Sequence, residues 1–79
     1  MTIHLNFHGP LRNPFGAGEV TLAAADDIAT IGDLLRVYVR LTPAEARHII
    51  VLRNDTEVRQ EEAPHDGDTL TLLLPVGGG

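Results

Sequence analysis

The groups best suited to chemistry lie at the carboxyl end of the chain, where Pro75 and Val76 precede Gly77, Gly78 and Gly79. Glycine has no side chain to pack and loses the most backbone freedom on ordering, so we expect the hydrophobic core to end before the glycines. Proline restricts the backbone where this tail begins. Fully extended, residues 75–79 reach about 17 Å, long enough to carry a carboxylate into the active site of another protein. A frayed chain end is the alternative interpretation.

The remaining side chains do not assemble a catalytic site in the sequence. The chain has no cysteine, which excludes disulfides, thiolate metal ligands and a cysteine nucleophile. His4 and His8 share one face of a predicted strand, but strand rise separates them by about 13 Å, too far to share a metal ion. Residues 16–18 lack the lysine and hydroxyl residue of a phosphate-binding loop, and the acidic pairs at 26–27 and 61–62 lie in polar connections. We therefore predict no metal site and no independent catalysis.

The charge and composition of the chain favour a protein as its partner over nucleic acid or a membrane. The formal net charge is −5 and no basic cluster interleaves with aromatic residues, so we do not expect nucleic acid as a ligand. An acidic protein of 79 residues is instead steered towards a basic face on a protein partner. Because no membrane-length apolar run occurs, we expect a cytoplasmic protein without membrane contact. All six basic residues are arginines, so no side-chain amine is present on which isopeptide-linked copies could be built.

Two strands and a helix are predicted in the first half of the chain. Residues 2–8 alternate, with Ile3, Leu5 and Phe7 on one face, and residues 19–23 alternate again after a long connection. The next apolar residues follow the spacing of one buried helical stripe, namely Ile31, Leu34, Leu35, Tyr38 and Leu41. Capping signals at residues 30–33 and 42–45 predict one helix of about three turns followed by a short helical turn.

The second half of the chain predicts three more strands. Residues 48–53 form a continuous apolar run, residues 56–59 read as a short polar edge strand, and an Asp-Gly turn leads into the apolar strand at 70–74. This order of elements describes an α+β, β-grasp domain over residues 1–76, with a flexible glycine tail at 77–79. Its mixed sheet has four to five strands with one main helix packed across it. The helix supplies the crossover that lets the last strand pair parallel to the first.

The chain resembles a known family in its length and order of elements, and the specific part of the resemblance is the last fourteen residues. The Asp66-Gly67-Asp68 turn, the apolar strand after it and the Pro-Val-Gly-Gly-Gly end are similar to the ubiquitin-like sulfur carriers of the MoaD/ThiS family. The triglycine after valine is similar to the thiamine-pathway carriers. The long connection around Phe7, Arg12 and Gly16 is similar to the small subunit of molybdopterin synthase, although that subunit usually has two prolines before its valine. Both pathways stay open, with molybdopterin first and thiamine second.

The resemblance implies a function for the tail. An E1-like adenylyltransferase would use ATP and magnesium to adenylate the carboxylate of Gly79, while Gly78, Gly77, Val76 and Pro75 occupy the channel of that enzyme. A sulfur donor, such as a cysteine desulfurase or rhodanese, would then form a thiocarboxylate that delivers sulfur in cofactor biosynthesis. The chain itself would bind no cofactor and would act as a carrier, or as the small non-catalytic subunit of a sulfurtransferase complex such as molybdopterin synthase.

The same resemblance suggests a docking surface that includes Leu73 and Phe7. Leu73 alternates with Leu72 and Leu74 and therefore points to the opposite face of the last strand. Either that face is covered within the domain, or it is an apolar patch that docks the activating enzyme or the large synthase subunit.

Two other classes of function stay open. A ubiquitin-like modifier would end with Gly79 joined to a target lysine, and a β-grasp interaction module would carry a tail without chemistry. The chemical fate of Gly79 distinguishes all three.

Overall fold

The structure is a computed structural model and describes residues 1–9, 11 and 13–75. Within this part of the chain, one mixed sheet has the strand order β2-β1-β5-β3-β4. Its strands are β1 (Thr2–His8), β2 (Glu19–Ala23), β3 (Ile50–Arg53), β4 (Thr56–Val58) and β5 (Thr69–Leu73). The β1–β5 pair is parallel and the other three pairs are antiparallel. The predicted β-grasp fold is therefore confirmed, including the pairing of the last strand with the first.

The sheet buries one face under the helices. The inward positions of the three central strands, among them Ile3, Leu5, Val51, Leu70 and Leu72, are fully buried or nearly so. They follow the alternation of the sequence because successive side chains of a strand point to opposite faces. The part of the chain described here contains no helix that is long and apolar enough to span a membrane.

The main helix differs in detail from the prediction. It begins as an α-helix, α1 (Ile31–Leu34), and continues as a π-helical segment over Leu35–Val39. It ends at Arg40, whose φ of 61° is left-handed. The stripe is mostly confirmed, although Tyr38 is only half-buried and Val39, which it omitted, is buried. The helical segment is thus nine residues long and shorter than the predicted three turns.

The predicted caps form to different extents. Thr30 Oγ1 accepts a hydrogen bond from the backbone N–H of Asp33 at 3.0 Å, but the Asp33 carboxylate contacts Arg36 instead of returning to the cap. The second helix, α2 (Pro43–Arg47), has both halves of a capping box between Thr42 and Glu45, at 2.9 and 3.1 Å. The shorter Asp side chain explains the half-formed box, because this motif uses Glu or Gln at that position.

A buried ion pair fixes the start of β5. Asp68 is 7% exposed, and its Oδ2 accepts hydrogen bonds from Arg53 Nε at 3.1 Å and from the backbone N–H of His65 at 2.8 Å. Arg53 also donates to the carbonyl oxygen of Ala63 at 2.5 Å. The pair therefore ties the connection over residues 60–68 to the neighbouring strand β3.

Replacing Asp68 tests this arrangement. Asp68→Ala leaves the Arg53 guanidinium without its buried partner, so we expect the free energy of unfolding to fall by about 3 kcal/mol. Urea denaturation measures this loss, and Asp27→Ala, at an exposed aspartate, is the control, with an expected change below about 0.5 kcal/mol. Equal losses in the two variants would contradict a structural role for the ion pair.

Candidate functional site

The base of the predicted tail lies at the end of β5. Burial decreases along the chain here, from fully buried Leu72 through half-buried Leu73 and Leu74 to exposed Pro75. Pro75 is the last residue described, so the predictions for Val76, Gly77, Gly78 and Gly79 lie outside the described residues and stay predictions. The structure does give the position of Pro75, the exposed residue after a buried strand, from which the tail continues.

This strand is held on both sides. In the register of the sheet, Leu72 pairs with Phe7 of β1 and with Val51 of β3, and Leu73 pairs with His8 and Ile50. A strand bonded to two neighbours cannot shift along its axis without breaking both ladders. The base of the tail therefore has a fixed position relative to the rest of the domain.

An apolar patch lies on the sheet face opposite the helices. Leu73 is adjacent to Ile50 across the ladder, and Leu52 is paired with Thr71 on the same face. We call Leu73, Ile50 and Leu52 the outer patch; all three are half-buried. Ile50 and Leu52 thus face away from the helices, whereas Ile49 and Val51 in the same apolar run are buried.

Phe7 is not part of the outer patch. It alternates with Ile3 and Leu5 and pairs with Leu72, so it lies on the helix side of the sheet while Leu73 lies on the other. Its ring packs against Phe15, with centroids 5.9 Å apart and planes inclined at 48°. The structure therefore does not bring Phe7 and Leu73 onto one surface; docking by either residue stays a prediction.

The connection between β1 and β2 is held by Asn13. Its amide nitrogen donates to the carbonyl oxygen of Ala17 at 2.6 Å, and its side-chain oxygen accepts from the backbone N–H of Phe15 at 2.9 Å. The N–H of Phe7 donates to the carbonyl oxygen of Gly18 at 2.8 Å, which closes the connection onto β1. The sequence predicted a long connection here, but not that it would place Phe15 against Phe7.

The histidines are dispersed. His4 and His8 share the outer face as predicted, and His4 Nδ1 lies 3.1 Å from the hydroxyl oxygen of Thr21. No group of three or more histidine, aspartate and glutamate side chains converges for metal binding within the described ranges. The candidate functional site is therefore the base of the tail at the end of β5, together with the sheet surface beside it.

A family model decides the family. The ThiS family model matches residues 7–79, which include the end of β1, the other four strands, the helices and the carboxyl-terminal segment. The chain belongs to the ThiS family. This confirms the resemblance to ubiquitin-like sulfur carriers of the MoaD/ThiS type.

Solved structures are similar over the whole chain. SAMP1 from Haloferax volcanii is 33% identical, with full coverage of both chains and a TM-score of 0.73. The HVO 2177 protein of the same organism is 29% identical, with a TM-score of 0.72 over 100% of this chain and 87% of that one. A protein complex of subunits 1 and 2 of the molybdopterin-converting factor from Helicobacter pylori 26695 is 21% identical, with full coverage of both chains and a TM-score of 0.64, which supports the fold alone. No curated protein sequence matches significantly.

The alternation of burial along β5 gives a test of this ThiS-family domain. Leu73→Asp should preserve the fold with a loss of about 1 kcal/mol, because Leu73 is half-exposed on the outer face. Leu72→Asp, its matched control, places a charge in the core and should lose more than about 4 kcal/mol. Circular dichroism with urea denaturation measures both, and the opposite ranking would contradict the register of β5.

Proposed function

We propose that this ThiS-family chain is a sulfur carrier that works through the carboxylate of Gly79. The observation that carries the proposal is the family match over residues 7–79, which includes the glycine end. It is supported by the geometry of the strand that leads to that end, since β5 is anchored between two neighbours and Pro75 is exposed. A rigid domain of this kind presents a terminal carboxylate to another protein while its own core stays closed.

The chemistry begins with activation of a poor acyl donor. One oxygen of the Gly79 carboxylate attacks the α-phosphate of ATP on an E1-like adenylyltransferase, and pyrophosphate leaves with magnesium as its counterion. The terminal sulfur of a persulfide on a cysteine desulfurase or rhodanese then attacks the acyl carbon, and AMP leaves with the carboxylate oxygen. A thiol reductant cleaves the sulfur–sulfur bond of the resulting acyl disulfide, and the cysteine of the donor enzyme leaves as a disulfide with that thiol. The product is a thiocarboxylate, whose sulfur is a good nucleophile for transfer to a cofactor precursor.

Two features of the chain support this chemistry. Gly77 and Gly78 have no Cβ, so they fit a channel too narrow for any other residue. The chain also has no cysteine, so no thiol of the carrier competes for the activated acyl group. The chain is in this proposal the substrate of its enzymes and not a catalyst, and the ATP and magnesium belong to the activating enzyme.

The outer patch is the surface we propose for docking. Leu73 and Ile50 are adjacent and partly exposed close to the end of β5, so an enzyme that contacts them also lies near the base of the tail. We propose the activating enzyme as the first partner. The large subunit of molybdopterin synthase is the second, because molybdopterin synthesis is our first choice of pathway and thiamine synthesis our second.

A second candidate function is protein modification. The observation that favours it is the 33% identity over full length to SAMP1, a protein described as a small archaeal modifier protein. In that case Gly79 would form an isopeptide bond with a lysine of another protein. Copies of this chain would not be joined to one another through lysine, because the chain has no lysine of its own.

Mass spectrometry of the chain end tests the carrier function. Incubation with activating enzyme, ATP, magnesium and a sulfur source should increase the mass of the intact chain by one sulfur-for-oxygen exchange, located in the carboxyl-terminal peptide. Gly78→Ala is the matched control and should lose at least about ten-fold in the rate of modification, since its methyl group obstructs the channel. Lysine conjugates in place of the thiocarboxylate would favour the modifier, and an unchanged Gly79 would contradict both functions.

A charge on the outer patch tests docking. Leu73→Asp should increase the KM for the carrier in the adenylation reaction by at least about ten-fold, because a charge in an apolar contact disrupts a partner interface. The control is Ala23→Asp, which adds the same charge to the exposed edge strand β2 on the same face. Equal KM values for both variants and the unmodified chain would place docking elsewhere.

A further inference from the structure

Gly9 lies beside the base of the tail. It follows β1 directly, and the parallel register pairs the last residue of β1, His8, with Leu73. The next residues of the two strands are therefore neighbours, and the backbone of Leu74 approaches Gly9 closely. A Cβ atom built on Gly9 would lie 3.0 Å from the Leu74 carbonyl oxygen, 3.8 Å from its nitrogen and 3.9 Å from its carbonyl carbon.

Two other glycines show what is special about this position. Gly9, Gly16 and Gly67 all have left-handed φ angles, of 80°, 73° and 86°. At Gly16 and Gly67, however, an added Cβ would have no atom of the described residues within 4 Å beyond its immediate chain neighbours. All three positions favour glycine through φ, but only at Gly9 does the missing side chain also leave room for the backbone that leads to the tail.

A side chain at position 9 would change the direction of this backbone. At 3.0 Å the contact is tighter than carbon and oxygen normally allow, so the Leu74 carbonyl would have to move by a few tenths of an ångström. Such a shift corresponds to a rotation of about 10° at Leu74, which changes the direction in which the chain continues at Pro75. Pro75 cannot absorb it, because its φ is fixed and it restricts the residue before it to extended conformations.

We propose that Gly9 is a positioning residue: it leaves room for the Leu74 backbone and so sets the direction in which the chain leaves the domain at Pro75, towards the active site of the activating enzyme. This inference rests on the proposed carrier function. The outer patch lies on β5 and β3 and does not include Gly9. Different residues therefore bind the partner and set the direction of the tail. A change at Gly9 should therefore affect the rate of the reaction in the complex and not the formation of the complex.

Asparagine substitutions separate the contact from the backbone conformation. Asparagine tolerates positive φ better than other residues with a Cβ, so Gly9→Asn keeps the local conformation but adds the contact with Leu74. Gly67→Asn is the matched control, with a similar φ and open space around it. The assay is ATP–pyrophosphate exchange on an activating enzyme that adenylates the unmodified chain. The kcat and KM are determined for each carrier variant.

Gly9→Asn should lower kcat by about ten-fold or more and leave KM within about two-fold, because a small misplacement of reacting groups costs rate. Gly67→Asn should match the unmodified chain in both constants. If the unmodified chain is not adenylated, the proposed function is wrong. If it is adenylated and Gly9→Asn keeps the kcat of the control, the positioning role of Gly9 is wrong.

The folding of the variants is checked by circular dichroism before the assay. If Gly9→Asn does not fold, Gly9→Ala replaces it. Failure of both to fold would show that Gly9 is required for folding and would overturn the assignment, as would an increase in KM at constant kcat.

Discussion

The structure depends on the central position of its last strand. β5 pairs with β1 on one side and with β3 on the other, and its inward residues Leu70 and Leu72 are fully buried. A parallel pair between the first and last strands requires a crossover, which the helical segment between them supplies. The same pairing that closes the core thus fixes the point from which the carboxyl-terminal residues continue.

The fold was predictable from the sequence because its local signals agree with one another. Strict alternation gave β1 and β2, the Asp-Gly turn gave the start of the last strand, and Thr42 with Glu45 formed the full capping box. The buried faces of β1 and β5 also follow from alternation, because a one-residue shift would expose every apolar side chain. Family membership could be predicted from the carboxyl-terminal residues, because the order of a turn, an apolar strand, a proline and three glycines is typical of the family.

Other features depend on long-range contacts that periodicity does not encode. The π-helical segment after Leu34 has the same apolar spacing as an α-helix. The ion pair between Arg53 and Asp68 joins residues 15 positions apart. Phe7 and Leu73 were grouped on one docking surface, but their separation onto opposite faces depends on pairing Phe7 with Leu72. The contact between Gly9 and Leu74 is invisible in sequence, since it requires the register of two strands from opposite ends of the chain.

In the proposed function the Gly79 carboxylate is the reacting group, and the folded domain is its support. The most direct measurement labels that carboxylate with oxygen-18 and analyses the AMP released when the chain is thiolated. If the carboxylate attacks the α-phosphate of ATP and sulfur then displaces AMP from the acyl carbon, the AMP carries one heavy oxygen from Gly79. AMP without the label would contradict the account, because sulfur would then have reached the product without activation of the chain end.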